Sequence, residues 1–262
     1  MAVYTCFDMV RDCREGKPSG WTYFVRTFVA PLTAMTRHYS RGPERGREMV
    51  ERILEDLRRR ENSVWTQDAI GERGFLALVR PLVVDAAGWA TEDPAVPLDL
   101  ATLESALEPL TVVERQIAWF GAMGYDDGAA SVIMRVSPET AGKVRERAAE
   151  LLRARMDHWT RTVVESNGPS LQREALAARP EQPIGVRDFL DVLDGRITWA
   201  QHQKLDGQLA ASWHEIDHFC RIREADHWMR VTPPLDAAEA AAWLRAVGVE
   251  PAKPSWLKRW LK

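Results

Sequence analysis

The sequence has little cysteine and no long apolar run, and each shortage excludes a class of protein. Only three of its 262 residues are cysteines, at positions 6, 13 and 220, and no Cys-x-x-Cys pair occurs. An odd number without such a pair argues against a disulfide framework and against a four-cysteine zinc site.

The apolar stretches are too short to span a membrane. The longest, FLALVRPLVVDAAGWA, is interrupted by Arg80 and Pro81 and falls short of the roughly 20 residues that a spanning helix needs. The first residues, MAVYTCFDMVRDCREG, carry Asp8, Arg11 and Asp12 where a signal peptide would need apolar side chains. We therefore expect a cytoplasmic protein without stable membrane insertion.

Excess positive charge is also missing. The net charge is -3, whereas dedicated nucleic-acid-binding proteins are usually basic. Any contact with DNA has to be local. No nucleophile, base and acid set stands out, and the segment GERG at Gly71 lacks the Lys-Ser/Thr of a phosphate loop. We expect neither an enzyme nor a cofactor.

Helical periodicity runs through the whole chain, while strand signals are scarce. In PERGREMVERILEDLRRR, for example, Met49, Ile53 and Leu57 form an apolar stripe one helical turn apart. The sequence therefore predicts an all-α fold.

Three helical blocks are separated by two proline-containing connectors. We assign residues 1–90, 102–166 and 186–262 to the blocks. Residues 91–101 and 167–185 are assigned to linkers, because both contain proline and polar residues typical of loops.

A helix start is encoded at Ser137-Pro138-Glu139-Thr140. Serine is a good N-cap, proline suits the first turn, and glutamate suits the positive end of the helix dipole. An inward stripe follows, formed by Ala141, Val144, Ala148, Leu151 and Leu152. The preceding segment, DDGAASVIMRV, is short and rich in small residues, so the two segments predict a helix-turn-helix.

The wider context, LTVVERQIAWFGAMGYDDGAASVIMRVSPETAGKVRERAAELLR, resembles region 4 of bacterial sigma factors of the extracytoplasmic-function type. The resemblance rests on Leu110, Glu114-Arg115, Ile117 to Phe120, Gly124-Tyr125, Asp126-Asp127, Ala129-Ala130, Ser137, Thr140, Ala148 and Leu152. The first block resembles region 2 by order and helix length. The resemblance implies a two-module protein that binds RNA polymerase core and reads promoter DNA.

The residues that would meet DNA depart from the family pattern. Where the family has Val-Lys-Ser-Arg, this chain has Ala141-Gly142-Lys143-Val144. The outward face is predicted to hold Glu139, Gly142, Lys143, Glu146, Glu150 and Arg153, a poor surface for phosphate. If DNA is bound, the resemblance implies contacts from Ser137, Thr140, Lys143, Arg145 and Arg147. A sigma-like protein that binds partners without DNA, and a structural helical hairpin, remain alternatives.

The charged helix of the first block has two interpretations. By resemblance to the sigma region that docks on polymerase, Arg52, Glu55 and Asp56 would contact the core enzyme. Alternatively, they belong to a solvated face.

The third block contains His214-Glu215-Ile216-Asp217-His218, which matches the H-E-x-x-H pattern of zinc hydrolases. Both histidines are expected on the solvent-exposed face of a helix whose apolar stripe is formed by Leu205, Leu209, Trp213, Ile216 and Cys220. A third zinc ligand is not evident, so a zinc hydrolase is kept only as an alternative.

The same block resembles zinc-binding anti-sigma domains at Leu193-Asp194-Gly195. The ligand positions would be Gln208, Ser212 and Glu215, which do not suit zinc. The resemblance implies a metal-free anti-sigma-like domain that clamps the other modules intramolecularly; a generic helical hairpin is the alternative. The tail PSWLKRWLK is predicted to be amphipathic and to pack on its own domain; docking onto another module or onto an anionic membrane surface is the alternative.

Overall fold

The computed structural model describes residues 4–39, 43–59, 62–66, 71–87, 100–158, 161 and 168–250. Over these ranges it contains 13 α-helices, one short 3-10 helix at Ser63–Thr66 and no strand, which confirms the all-α prediction. The helices are α1 (Cys6–Arg14), α2 (Pro18–Tyr39), α3 (Pro43–Arg58), α4 (Gly71–Ala86), α5 (Leu100–Leu107), α6 (Val112–Ala122), α7 (Asp127–Met134), α8 (Pro138–Arg155), α9 (Gly168–Ala177), α10 (Val186–Leu193), α11 (Trp199–Ala210), α12 (Trp213–Val231) and α13 (Ala237–Ala246).

Helices α2, α3 and α4 pack around an aromatic cluster. The rings of Phe28 and Phe75 are 4.9 Å apart, and Trp65 stacks on Phe75 at 5.7 Å. The predicted stripe of α3 faces this core, because Met49, Ile53 and Leu57 are all at most 3% exposed. Burial of large aromatic side chains supplies much of the hydrophobic stabilisation here.

Helix α12 runs through the centre of the molecule. It packs against α4 and α2 of the first block, α6 and α7 of the second, and α9, α10 and α11. Thirteen of its 19 residues are buried, and they include charged ones such as Asp217 and Glu224. A helix enclosed on all sides has no solvated face, so its sequence lacks a one-sided apolar stripe.

The predicted wet face of His214 and His218 is therefore wrong. The stripe that we drew through Leu205 and Ile216 belongs to two helices, because α11 ends at Ala210 and Ser212 caps the start of α12. The break resets the helical phase. His214 is 6% exposed, and the side chain of His218 is 13% exposed.

Part of the predicted second linker is helical. Helix α9 occupies Gly168–Ala177, where the sequence predicted a loop. Leu171 and Ala175 lie one turn apart, are at most 1% exposed, and face the core, where α9 packs against α12. In the first connector, α5 begins at Leu100, while residues 91–99 lie outside the described ranges, as does the tail PSWLKRWLK.

Within the described ranges, no helix combines the length and apolar character needed to cross a bilayer.

Candidate functional site

Helices α7 and α8 form a compact unit joined by a three-residue turn. Asp126 caps α7, and Arg135 ends it in the left-handed conformation with φ 58°. Ser137 then caps α8 by accepting a hydrogen bond from the N–H of Thr140, and Pro138 occupies the first turn. The predicted start of this helix is confirmed.

The inward face of α8 is also as predicted. Ala141, Val144, Ala148 and Leu152 are buried, and Leu151 is half-buried. This packing leaves Glu139, Lys143, Glu146, Glu150 and Arg153 exposed, while Gly142 is half-buried. Within this predicted set, three carboxylates stand against two cations, while Arg147 beside it is also exposed.

The cations that the sequence assigned to DNA contacts are each paired within the molecule. Arg145 lies 2.7 Å from Asp127, and Arg147 lies 2.7 Å from Glu114. Lys143 lies 2.6 Å from Glu139, one turn earlier on α8. These pairs are partly or largely exposed, and such pairs contribute only about 0–1 kcal/mol each, so a phosphate group can compete for the cations.

The two hydroxyl groups assigned to DNA lie together at the start of α8. The oxygens of Ser137 and Thr140 are 2.8 Å apart, and both residues are exposed. The N–H groups of Thr140 and Ala141 are already bonded to Ser137, so this end of α8 offers an anion the two hydroxyl groups and the positive end of the helix dipole.

A groove of about 470 Å³ separates α8 from α5 and α6. Leu103, Leu107 and Trp119 line its apolar wall, and Arg145 and Glu146 of α8 line the other side. Arg145 thus lies over α6 and α7, with 41% of its side chain exposed.

Ion pairs attach the α7–α8 unit to the first and third blocks. Arg135 in the turn lies 3.0 Å from Asp226 of α12. Arg73 of α4 lies 3.0 Å from the same carboxylate and 2.8 Å from Asp194. The orientation of the unit is therefore linked to α4 and α12.

A buried polar network lies behind this surface. Arg80 of α4 donates to Glu224 at 3.0 Å and to the hydroxyl oxygen of Tyr39 at 2.9 Å. Tyr125, which follows α6, also donates to Glu224. Burial, and after it the charge of Glu224, raises the pKa of Tyr125 well above its ordinary value, so this hydroxyl stays protonated.

Asp217 extends the network along α12. It accepts hydrogen bonds from the indole of Trp119 at 3.0 Å and from Nε of Arg221 at 2.8 Å. Arg80 is 3.9 Å away. Because buried polar groups are costly unless each is partnered, this network specifies how the three blocks fit together.

Sequence reasoning missed this network, although two signals could have found it. Arg80 is a lone cation in the otherwise apolar core of α4. Asp217 and Glu224 are seven residues apart, which places them on the same side of α12.

The residues assigned to polymerase binding lie on the outer side of α3. Arg52 and Glu55 are exposed, and Asp56 is half-buried and lies 3.6 Å from Arg59. They form a mixed-charge surface on α3.

The H-E-x-x-H residues make structural contacts. Nδ1 of His214 lies 2.9 Å from the carbonyl oxygen of Ala175, and Glu215 accepts from the N–H of Ile184 at 2.9 Å. His218 packs edge-on against Phe189. Across the described part of the chain, no group of three or more His, Cys, Asp or Glu side chains is placed to hold a metal ion. This geometry does not favour a zinc hydrolase.

The positions matched to an anti-sigma domain also have local roles. Ser212 caps α12, Glu215 accepts from Ile184, and Asp194 pairs with Arg73. Gln208 is half-buried on α11.

The chain matches no family model, no curated protein and no solved structure.

Proposed function

We propose that the protein is a sigma-factor-like transcription regulator that binds RNA polymerase core and presents the α7–α8 unit to promoter DNA. The observation that carries this proposal is the unit itself: two helices joined by a three-residue turn, the second capped by Ser137. Such a unit presents the N-terminal end of its second helix to the major groove.

The charged residues of α8 determine how this helix would contact DNA. Lys143 is exposed at the N-terminal end, beside Ser137 and Thr140. Arg145 and Arg147 would exchange Asp127 and Glu114 for phosphate oxygens, since surface ion pairs are weak. This binding is opposed by three carboxylates of α8: Glu139, Glu146 and Glu150. The affinity of the free protein for DNA would therefore be low, and polymerase would supply the remaining contacts with DNA.

The third block would restrain the unit within the same chain. Asp226 of α12 binds both Arg135 in the turn and Arg73 of α4. A regulator that alters this link would change the orientation of α8 toward DNA.

Retention of purified RNA polymerase core by the immobilised full-length protein tests the proposal. We expect retention by the wild type and a clear loss with Glu55→Lys, which reverses an exposed charge on α3. Glu150→Lys makes the same charge change on α8 and should retain core. If the wild type retains no core, the proposal is wrong.

A second candidate is a partner-binding protein that does not contact DNA. It is favoured by the pairing of Lys143, Arg145 and Arg147 with carboxylates. Fluorescence anisotropy with a short duplex separates the two candidates, because phosphate contacts weaken steeply between about 50 and 200 mM salt. Retention of core by the protein, together with no salt-sensitive DNA binding by their complex, would favour this second candidate.

A further inference from the structure

A second cleft, of about 630 Å³, lies between α4, α9, α12 and the segment leading into α10. Its apolar wall includes Val64, Leu78, Leu82, Leu176 and Ile184. Arg179, His214, His218 and Arg221 also line it. The volume falls within the roughly 300–1,000 Å³ of small-molecule sites, and the mixture of apolar wall and few polar groups is typical of them.

Arg221 is a buried residue that lines this cleft, and within the described part of the chain only one of its guanidinium nitrogens donates a hydrogen bond. The residue is 5% exposed, and its Nε donates to Asp217 at 2.8 Å. The Nη1 and Nη2 groups have no hydrogen-bond partner among the described residues. Because Arg221 lines the cleft, a bidentate anion bound there would supply the hydrogen-bond partners that these two groups lack within the described residues.

Arg179 adds a second cation at the edge of the cleft. It is exposed and forms no ion pair within the described part of the chain. Its position after α9 lets it reach the same ligand as Arg221, which belongs to α12.

The described residues that line the cleft include no carboxylate. Behind this wall, Asp217 accepts hydrogen bonds from Arg221 and Trp119. Glu215 accepts from the N–H of Ile184 through Oε1, while its buried Oε2 lies 3.8 Å from Nδ1 of His218 and has no hydrogen-bond partner among the described residues. Asp188 approaches one edge, next to Gly185. The cleft therefore combines positive charge with an apolar wall.

We propose that this cleft binds a small amphiphilic organic anion. Its carboxylate or phosphate group would bind the free edge of Arg221 and the guanidinium of Arg179, while its apolar body would lie along Leu78 and Leu82. The site is independent of the proposed transcriptional function, because it uses none of the α3 or α8 residues assigned to polymerase or DNA.

Isothermal titration calorimetry of the full-length protein tests the proposal with octanoate, octyl phosphate and the neutral octyl glucoside, the last kept below its micelle concentration. We expect one site for at least one of the two anions, and their relative affinities decide between carboxylate and phosphate. Octyl glucoside should bind at least about tenfold more weakly, because a neutral ligand cannot form the charge-assisted hydrogen bonds that the anions form with the arginines.

Two cleft variants and one control complete the test. Arg179→Gln removes an exposed cation and should weaken anion binding about tenfold. Arg221→Lys keeps a positive charge near Asp217 but removes the two Nη groups that would bind the anion. This variant should therefore also bind the anion more weakly. Arg187→Gln, at a side chain 81% exposed on α10 and outside the lining, should bind like the wild type.

Three results would overturn the proposal. The first is no binding of either anion by the wild type. The second is equal binding of octyl glucoside, which would indicate a purely apolar cleft. The third is unchanged anion affinity in Arg179→Gln together with unchanged affinity in a folded Arg221→Lys protein.

Discussion

Arg80 and Glu224 lie 144 positions apart in the chain and form an ion pair of 3.0 Å with at most 1% of either side chain exposed. Arg80 belongs to the first block and Glu224 to the third, while Tyr125 of the second block donates to the same carboxylate. One buried contact thus joins all three blocks.

Replacing Arg80 by methionine should lower the free energy of unfolding by about 3–5 kcal/mol, because Glu224 would be left buried without its counter-charge. Urea unfolding followed by circular dichroism measures this loss. Lys143→Met provides the control: it breaks an exposed pair with Glu139 and should cost no more than about 0.5 kcal/mol. Similar losses in the two variants would contradict the structural role of Arg80.

The three cysteines should be unreactive in the folded protein. Cys6, Cys13 and Cys220 are at most 4% exposed, and burial raises the pKa of the Cys6 thiol to about 12 and that of Cys220 well above its ordinary value. Since the thiolate is the reactive form, we expect almost no labelling by Ellman's reagent in buffer and full labelling in urea. Rapid labelling of the native protein would show that one of these helices is packed differently.

Stability should fall as the pH drops from 7 towards 5. Burial lowers the pKa of His38, His218 and His227 below 6.5, so the unfolded chain binds more protons than the folded one in this range. Stability is therefore retained above about pH 6.5 and is lost as the pH falls through the folded-state pKa, by up to about 1.4 kcal/mol per pH unit for each histidine. Urea midpoints measured across this range report the slope.

His38→Phe should flatten that slope, because phenylalanine preserves the stacking on Tyr125, now at 3.6 Å, and does not titrate. His202→Gln changes an exposed histidine on α11 and serves as the control. An unchanged slope in His38→Phe would exclude this histidine as a source of the pH dependence.

Neutralising the carboxylates of α8 should strengthen DNA binding if this helix approaches DNA. Glu139→Gln, Glu146→Gln and Glu150→Gln together remove the charges that oppose phosphate, so we expect a gain of about tenfold or more in affinity for duplex DNA at low salt. Fluorescence anisotropy measures the affinity.

The matched control removes three exposed carboxylates elsewhere, by Glu108→Gln, Glu174→Gln and Glu181→Gln. Both triple variants have the same net charge. An equal gain in the two would mean that total charge, not the surface of α8, governs the interaction.

Removing the third block should abolish cooperative folding. A protein ending at residue 165 lacks α12, whose packing buries faces of α2, α4, α6 and α7. Exposing these faces costs roughly 25 cal/mol for each Å² of apolar surface, far more than a marginally stable fold can lose. A sharp urea transition in the truncated protein would instead show that the first two blocks fold without the third.

The start of α8 could be predicted from the sequence, while the role of α12 could not. Ser137 and Pro138 act through contacts within one helical turn, so their effect is encoded locally. The burial of Asp217 and Glu224 depends on Trp119 and Arg80, which lie 98 and 144 positions away. The seven-residue spacing of Asp217 and Glu224 places both on one side of the helix, but it does not identify their distant partners, and the polar residues of the segment suggested a solvated face.

The central position of α12 also governs the order in which the protein can be assembled on the ribosome. Helices α2, α4, α6, α7, α9, α10 and α11 all contact it, and all are synthesised before it. Until α12 emerges, the faces of these helices that pack against it have no partner, and contacts between residues so distant in sequence form slowly. We therefore expect the nascent chain to pass through a long aggregation-prone stage in which chaperones shield it, and to complete its core only after Val231 has left the ribosome.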